Sequence, residues 1–161
     1  MRITELCSRP VFVAYPDQAL SLAVAEMRRH DVGALVVVAA GDPRRCPLGI
    51  LTDRDVLCGQ VRQAADLHCL TVGDVMTRDP LCLDAEAQLA EAIATMASRA
   101  VRRAPVIDRA DGLVGIVTLD DLLPAIAQQL KELAATAAPE PRRHRRGTAT
   151  VTQPYVERSI L

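Results

Sequence analysis

Two stretches of this chain repeat one pattern in the same order. Gly49-Ile50-Leu51-Thr52-Asp53-Arg54-Asp55 and Gly115-Ile116-Val117-Thr118-Leu119-Asp120-Asp121 share Gly, Ile, an apolar residue, Thr, two variable positions and Asp. The copies lie far apart along the chain, and each closes an apolar run and opens a helical pattern. Two copies at so long a period indicate one supersecondary unit used twice, because a solenoid needs at least about three repeats.

The surrounding residues fall into the same register. Residues 2–9 allow one short helical turn, and Val11-Phe12-Val13-Ala14 reads as a strand stopped by Pro16-Asp17. Leu20, Ala23, Val24 and Met27 form the i, i+3, i+4, i+7 stripe of an amphipathic helix that ends at His30 and Asp31. Ala34-Leu35-Val36-Val37-Val38 has no polar alternation, the mark of a strand buried on both faces. After the turn at Gly41-Asp42-Pro43, Leu48-Gly49-Ile50-Leu51 is the next strand. Thr52 caps a helix from Asp53 to about Ala64, with Val56, Leu57 and Val61 on its apolar side.

The second unit repeats this. Val72-Gly73-Asp74-Val75-Met76 is a helical turn and Pro80-Leu81-Cys82-Leu83 a strand. Leu89, Ala92, Ile93 and Met96 then restate, position for position, the stripe of Leu20, Ala23, Val24 and Met27. Ala104-Pro105-Val106-Ile107 and Leu113 to Val117 are strands, and Thr118 caps a helix carrying Leu119, Leu122, Leu123, Ile126, Leu130 and Leu133. The tighter turn at Asp111-Gly112 makes the interval from Gly49 to Gly115 slightly shorter than that from Leu20 to Leu89. The fold class expected is α/β (α+β), two β-α-β-β-α repeats at 1–66 and 67–134. One such unit leaves a sheet face uncovered, so the two should pack sheet to sheet about a pseudo-twofold axis. A flexible basic tail is expected over 135–161.

With these elements in place, the chain resembles a tandem pair of CBS domains, the regulatory pair called a Bateman module, over about residues 2–128. The duplicated G-I-x-T-x-x-D carries the resemblance, together with the Met-bearing helix before each buried strand and Ala104-Pro105-Val106-Ile107-Asp108, similar to the family's L-P-V-V-D. The resemblance implies an adenosine-containing ligand, AMP, ADP, ATP or S-adenosylmethionine, held in clefts between the repeats. Asp55 and Asp121 would accept the ribose hydroxyls, with Thr52 and Thr118 beside them. The helix N-termini there offer free N–H groups and a positive dipole end to phosphate. The adenine slot would match Phe12 and Val32 in the first repeat and Leu81 and Val101 in the second. Arg102 and Arg103 match the family's phosphate-contacting positions, and guanidinium groups suit phosphate oxygens. The first repeat has Gly33 and Ala34 there, which makes the two clefts unequal.

Thr-x-x-Asp before an apolar helix is also close to a capping box, in which the two side chains satisfy free N–H groups at a helix start. On that reading the same residues stabilise helices and bind nothing.

Other chemistries find little support. One Phe and two Tyr give no aromatic platform for stacked bases, and a net charge of -1 gives no chain-wide polyanion footprint, so nucleic acid is not an expected partner. Five single cysteines (Cys7, Cys46, Cys58, Cys69, Cys82) form neither a C-x-x-C nor an even disulfide set. His30, His68 and His144 share no metal-ligand spacing, and no G-x-S-x-G, P-loop or H-E-x-x-H is present. No catalytic residue, metal or resident cofactor is therefore expected. Met1-Arg2-Ile3-Thr4-Glu5 lacks the apolar core of a signal peptide, and a cytoplasmic chain without a membrane span is expected. The Arg142-Arg143-His144-Arg145-Arg146 cluster reads as a solubilising tail ahead of an RNA, acidic-partner or lipid contact.

The function expected is a non-catalytic regulatory sensor, homodimeric through the helices after each motif and acting on a partner protein. The alternative is a ligand-free dimerisation or scaffold module.

Overall fold

Residues 1–63 and 66–137 are described by the computed structural model, so the Arg142–Arg146 cluster lies outside the described residues. The duplicated pattern folds into two sheets flanked by helices. The first copy gives β1 (Val13–Ala14), α1 (Leu20–His30), β2 (Ala34–Val38), β3 (Pro47–Thr52) and α2 (Asp53–Gln63). There follow α3 (Val72–Val75), β4 (Thr77–Arg78), β5 (Leu83–Asp84), α4 (Leu89–Ser98), β6 (Arg103–Ile107), β7 (Leu113–Thr118) and α5 (Leu119–Ala137). The sheet orders are β1-β2-β3-β4 and β5-β6-β7. In each, the short first strand runs parallel to the second, and the second and third form an antiparallel hairpin.

The hydrophobic stripes fall where their periodicity puts them. Leu20, Ala23 and Met27 on α1 are buried, as are Leu89, Ala92 and Met96 on α4. On β2, Leu35 and Val37 join the helix-side core, while Val36 and Val38 are buried on the opposite face. That accounts for an apolar run without alternation.

Each core contains a piece of the other repeat. The 3-10 turn at Ile3–Glu5 places Ile3, fully buried, among Leu83, Leu89, Met96, Val106, Val117 and Leu122 of the second repeat. Its backbone is tied there by Ile3 N–H to Ala87 O at 3.0 Å and Thr4 N–H to Ala85 O at 2.9 Å. In the same way Leu70, Val72 and Met76 complete the first core, with Val72 N–H donating to Gln18 O at 2.9 Å. A single helical turn cannot bury its own apolar residue, so it takes shelter in a core already formed. Burying one such side chain is worth about 1.5–3 kcal/mol.

This exchange explains several differences from the sequence expectation. The expected strands at 11–14 and 80–83 begin pairing only at Val13 and Leu83. Before those points the chain is still bound to the opposite sheet, through Ser8 against Ile116 and through β4 against β3. Strand β4 itself has no counterpart in the sequence expectation. The exchange also gives the glycines of the repeated motif a purpose. A Cβ on Gly49 would stand 2.8 Å from both Met76 Sδ and Thr77 O, and one on Gly115 would run into Cys7 Sγ. The crossing segment lies directly over each glycine.

Helix α2 corrects the expected apolar face. Val56 and Gly59 face inward, and Gly59 lies so close to Val75 of α3 that a Cβ would overlap it. Leu57 and Val61 are one i, i+4 pair on the other side and are 64% and 77% exposed. On α5, Leu122 belongs to the second core, whereas Leu123, Leu130 and Leu133 point outward.

At the hairpin turns the sheets are joined by Leu113 N–H to Arg44 O at 3.0 Å and Arg44 Nη1 to Ala110 O at 3.2 Å. Asp42 braces that turn by accepting the N–H groups of Cys46 and Arg44, which hold its carboxyl below the usual range.

Candidate functional site

Helices α1 and α4 both end on a left-handed residue, Asp31 and Ala100, each with φ of 53°. The turn sends the chain sharply into the buried strand, so that residues 32–34 stand at the mouth of the gap between repeats. There they wall a cleft of about 310 Å³ with Ser8, Arg9, Pro10, Val11 and Phe12 on the crossing segment. The opposite wall comes from the second repeat: Arg103, Ile116 and Thr118. A second recess of about 300 Å³, formed by Arg102, Leu119 and Asp120, shares Gly33, Arg103 and Thr118 with it. An apolar slot thus opens beside a recess carrying two guanidinium groups.

Arg103 bridges the repeats. Its Nη1 donates to Gly33 O at 2.7 Å, and a Cβ on Gly33 would stand 3.5 Å from that nitrogen. That is an ordinary van der Waals separation, so Gly33 contributes to this bridge through its carbonyl. Although Arg103 belongs with the second-repeat set by sequence, its side chain lines the cleft that contains Phe12 and Val32.

Both Thr-x-x-Asp segments form the capping bonds anticipated for them. Thr52 N–H and Oγ1 donate to Asp55 Oδ2 at 2.9 and 2.6 Å, and Asp55 N–H returns a bond to Thr52 Oγ1 at 3.2 Å. Thr118 N–H and Oγ1 donate to Asp121 Oδ2 at 2.7 and 2.8 Å. A third segment, Thr71 to Asp74, does the same at 2.8 and 2.7 Å. The Thr71 hydroxyl and then its N–H lower the Asp74 carboxyl below its usual range.

The first two boxes have something the third lacks. Their second carboxylate oxygen faces a hydroxyl from the crossing segment: Ser8 Oγ donates to Asp121 Oδ1 at 3.2 Å, and Thr77 Oγ1 to Asp55 Oδ1 at 3.5 Å. Ser8 and Thr77 are separated by the same interval as Leu20 and Leu89. That shared interval was the signal that could have identified them. Phe12 and Val32 meet Thr118 and Arg103 at one cleft, and Asp121 reaches its edge through Ser8. Leu81 and Val101 are half-buried against the second core, and Thr52 and Asp55 stand together at the start of α2.

Among the described residues no cluster of three or more His, Cys, Asp or Glu is placed to hold a metal, and no helix is long and apolar enough to cross a membrane.

Comparison with known proteins gives a consistent result. The family model of the CBS domain matches residues 3–59 and 72–128. The CBS domain-containing protein YhcV of Bacillus subtilis is 33% identical over 135 residues, covering 84% of this chain and 91% of that protein. An uncharacterized protein of Methanopyrus kandleri is 29% identical over 75% of this chain, which spans only 60% of that relative's length. Among solved structures, a CBS domain protein from Pyrobaculum aerophilum complexed with AMP superposes with a TM-score of 0.71 at 25% identity, over 82% of this chain and 99% of that one.

Proposed function

The chain belongs to the CBS domain family, and on that premise we propose that it is a non-catalytic sensor for an adenosine-containing ligand. The observation that carries this reading is the pair of joined recesses, one apolar and one holding Arg102 and Arg103, shared across the repeats. The AMP bound by the Pyrobaculum aerophilum protein supports the same ligand class.

In this reading the adenine lies against Phe12 and Val32, and the phosphate meets Arg103 and Arg102. The ribose hydroxyls approach Asp121, and Thr118 keeps the carboxylate fixed. Asp121 Oδ2 is engaged by the cap, so Oδ1 takes the sugar, and the ribose replaces or shares the Ser8 hydroxyl. Asp55 and Thr52, with Leu81 and Val101, make the corresponding but poorer cleft, because Leu81 stands where the first cleft has the Phe12 ring. The two covalent repeats, 1–66 and 67–134, then move relative to each other as occupancy changes, shifting a two-state equilibrium by the ligand's differential affinity. Leu57 and Val61 on α2 and Leu123, Leu130 and Leu133 on α5 form the outward apolar surface through which two copies pair in the cytoplasm and reach a regulated partner.

Titration calorimetry with AMP, ATP and S-adenosylmethionine tests the reading. Binding of at least one that is abolished by Asp121→Ala supports it, and no heat with any of them sinks it. A second reading, ligand-free assembly, is favoured by one observation: the Thr71–Asp74 box makes the same capping bonds on a helix with no cleft role. It predicts dimer stability indifferent to nucleotide.

A further inference from the structure

Phe12 is engaged on one side before any ligand arrives. Its ring lies 3.8 Å from the His30 imidazole, centroid to centroid, with the planes 20° apart. Phe12 lines the cleft and His30 does not, so the imidazole backs the ring from the protein side. His30 is itself held in place. It closes α1, its Nε2 lies 3.2 Å from Glu26 Oε2 one turn earlier, and Arg29 adds a 3.6 Å contact to the same carboxylate. The left-handed Asp31 then carries the chain straight into Val32 and Gly33, so the residue backing Phe12 and the residues beside the slot share one rigid corner.

We infer that His30 is a positioning residue for base recognition: it fixes the plane of Phe12, which also rests on the first core, so that adenine stacks on the ring from the cleft, making a three-layer His30–Phe12–base stack. This rests on the sensing function proposed above and adds a residue to it. Offset-stacked aromatic pairs hold a preferred geometry beyond the area they bury. A ring already locked by one neighbour loses less freedom when a second plane settles on it. The second repeat has no counterpart, since the positions matching Phe12 and His30 are Leu81 and Arg99. The stack therefore belongs to one cleft only.

The chain contains a single phenylalanine, so 4-fluorophenylalanine labelling gives one fluorine resonance, from Phe12. AMP should move that resonance, and His30→Ala should shift it without ligand and weaken AMP binding about three- to tenfold. His30→Phe, which keeps a flat ring, should restore affinity to within about twofold of the starting protein. The melting temperature of each variant separates a folding defect from a binding one. If AMP binds by calorimetry but the fluorine signal stays still at saturation, or His30→Ala binds as well as the parent while Asp121→Ala does not, the stacking role is overturned and the sensing function stands. If AMP, ATP and S-adenosylmethionine all give no heat, both fall.

Discussion

The two repeats share a skeleton and differ in what they place on it. Thr52–Asp55 and Thr118–Asp121 make the same cap, Thr77 and Ser8 touch the same carboxylate oxygen, and Met76 and Cys7 cross the same glycine. Phe12 and His30 correspond to Leu81 and Arg99, and Gly33-Ala34 to Arg102-Arg103. Because each sheet borrows from the other chain half, those differences combine instead of cancelling. The aromatic wall of the first repeat faces the cation of the second. Duplication keeps the geometry while the exchange brings Phe12, Val32, Arg103 and Thr118 to one cleft.

If the cores are truly exchanged, the strongest way to break the comparison is at the third residue. Ile3→Ala should destabilise the whole chain by about 2–5 kcal/mol, the cost of a core truncation, as read from urea unfolding. An N-terminal residue that merely frayed would cost almost nothing. Next in size, Gly49→Ala and Gly115→Ala should each cost about 1–3 kcal/mol by overpacking against Met76 and Cys7. Equal penalties would show that both crossings are equally tight.

Arg103 sharpens the comparison on the ligand side. Arg103→Ala should weaken AMP about tenfold or more, the scale of a lost charge-assisted bond, and leave adenosine within about twofold. Equal losses for both would remove the phosphate role. The smallest effect concerns the capping box without a cleft. Asp74→Asn should leave AMP affinity unchanged. Its native carboxyl is lowered, so its contribution to stability is present above the unfolded-state value of about 3.9 and lost as pH falls through the folded one. Acid should therefore erode the parent chain faster than Asp74→Asn, a difference readable from melting temperatures below about pH 4.

Much of the skeleton was legible because local periodicity decides it. The stripes of α1 and α4, the doubly buried β2 and the three-residue spacing of the caps need no knowledge of partners. The exchange was not legible. Ile3 and Val72 look equally apolar whichever core receives them, and the choice is made by backbone bonds to residues such as Ala87 and Gln18 far along the chain. The same limit explains Leu57 and Val61, which share one apolar side with Val56 by sequence but lie outward because Gly59 brings α2 onto α3 along a different face. Thr118 and Asp121 belong to the repeated motif and Phe12 and Val32 were named through the family resemblance, and Phe12, Val32 and Thr118 line one cleft. The contacts of Ser8 with Asp121 and of Arg103 with Gly33 span 113 and 70 residues, so local spacing does not pair them, although Arg103 was named through the resemblance and Ser8 shares its interval with Thr77. His30 read only as the end of a helix.

The most direct test of an unequal pair is the stoichiometry of AMP binding by calorimetry, repeated in Asp121→Ala and in Asp55→Ala. One high-affinity AMP per chain, lost in Asp121→Ala and kept in Asp55→Ala, is the predicted result. Two equivalent sites, or loss in Asp55→Ala alone, would contradict it.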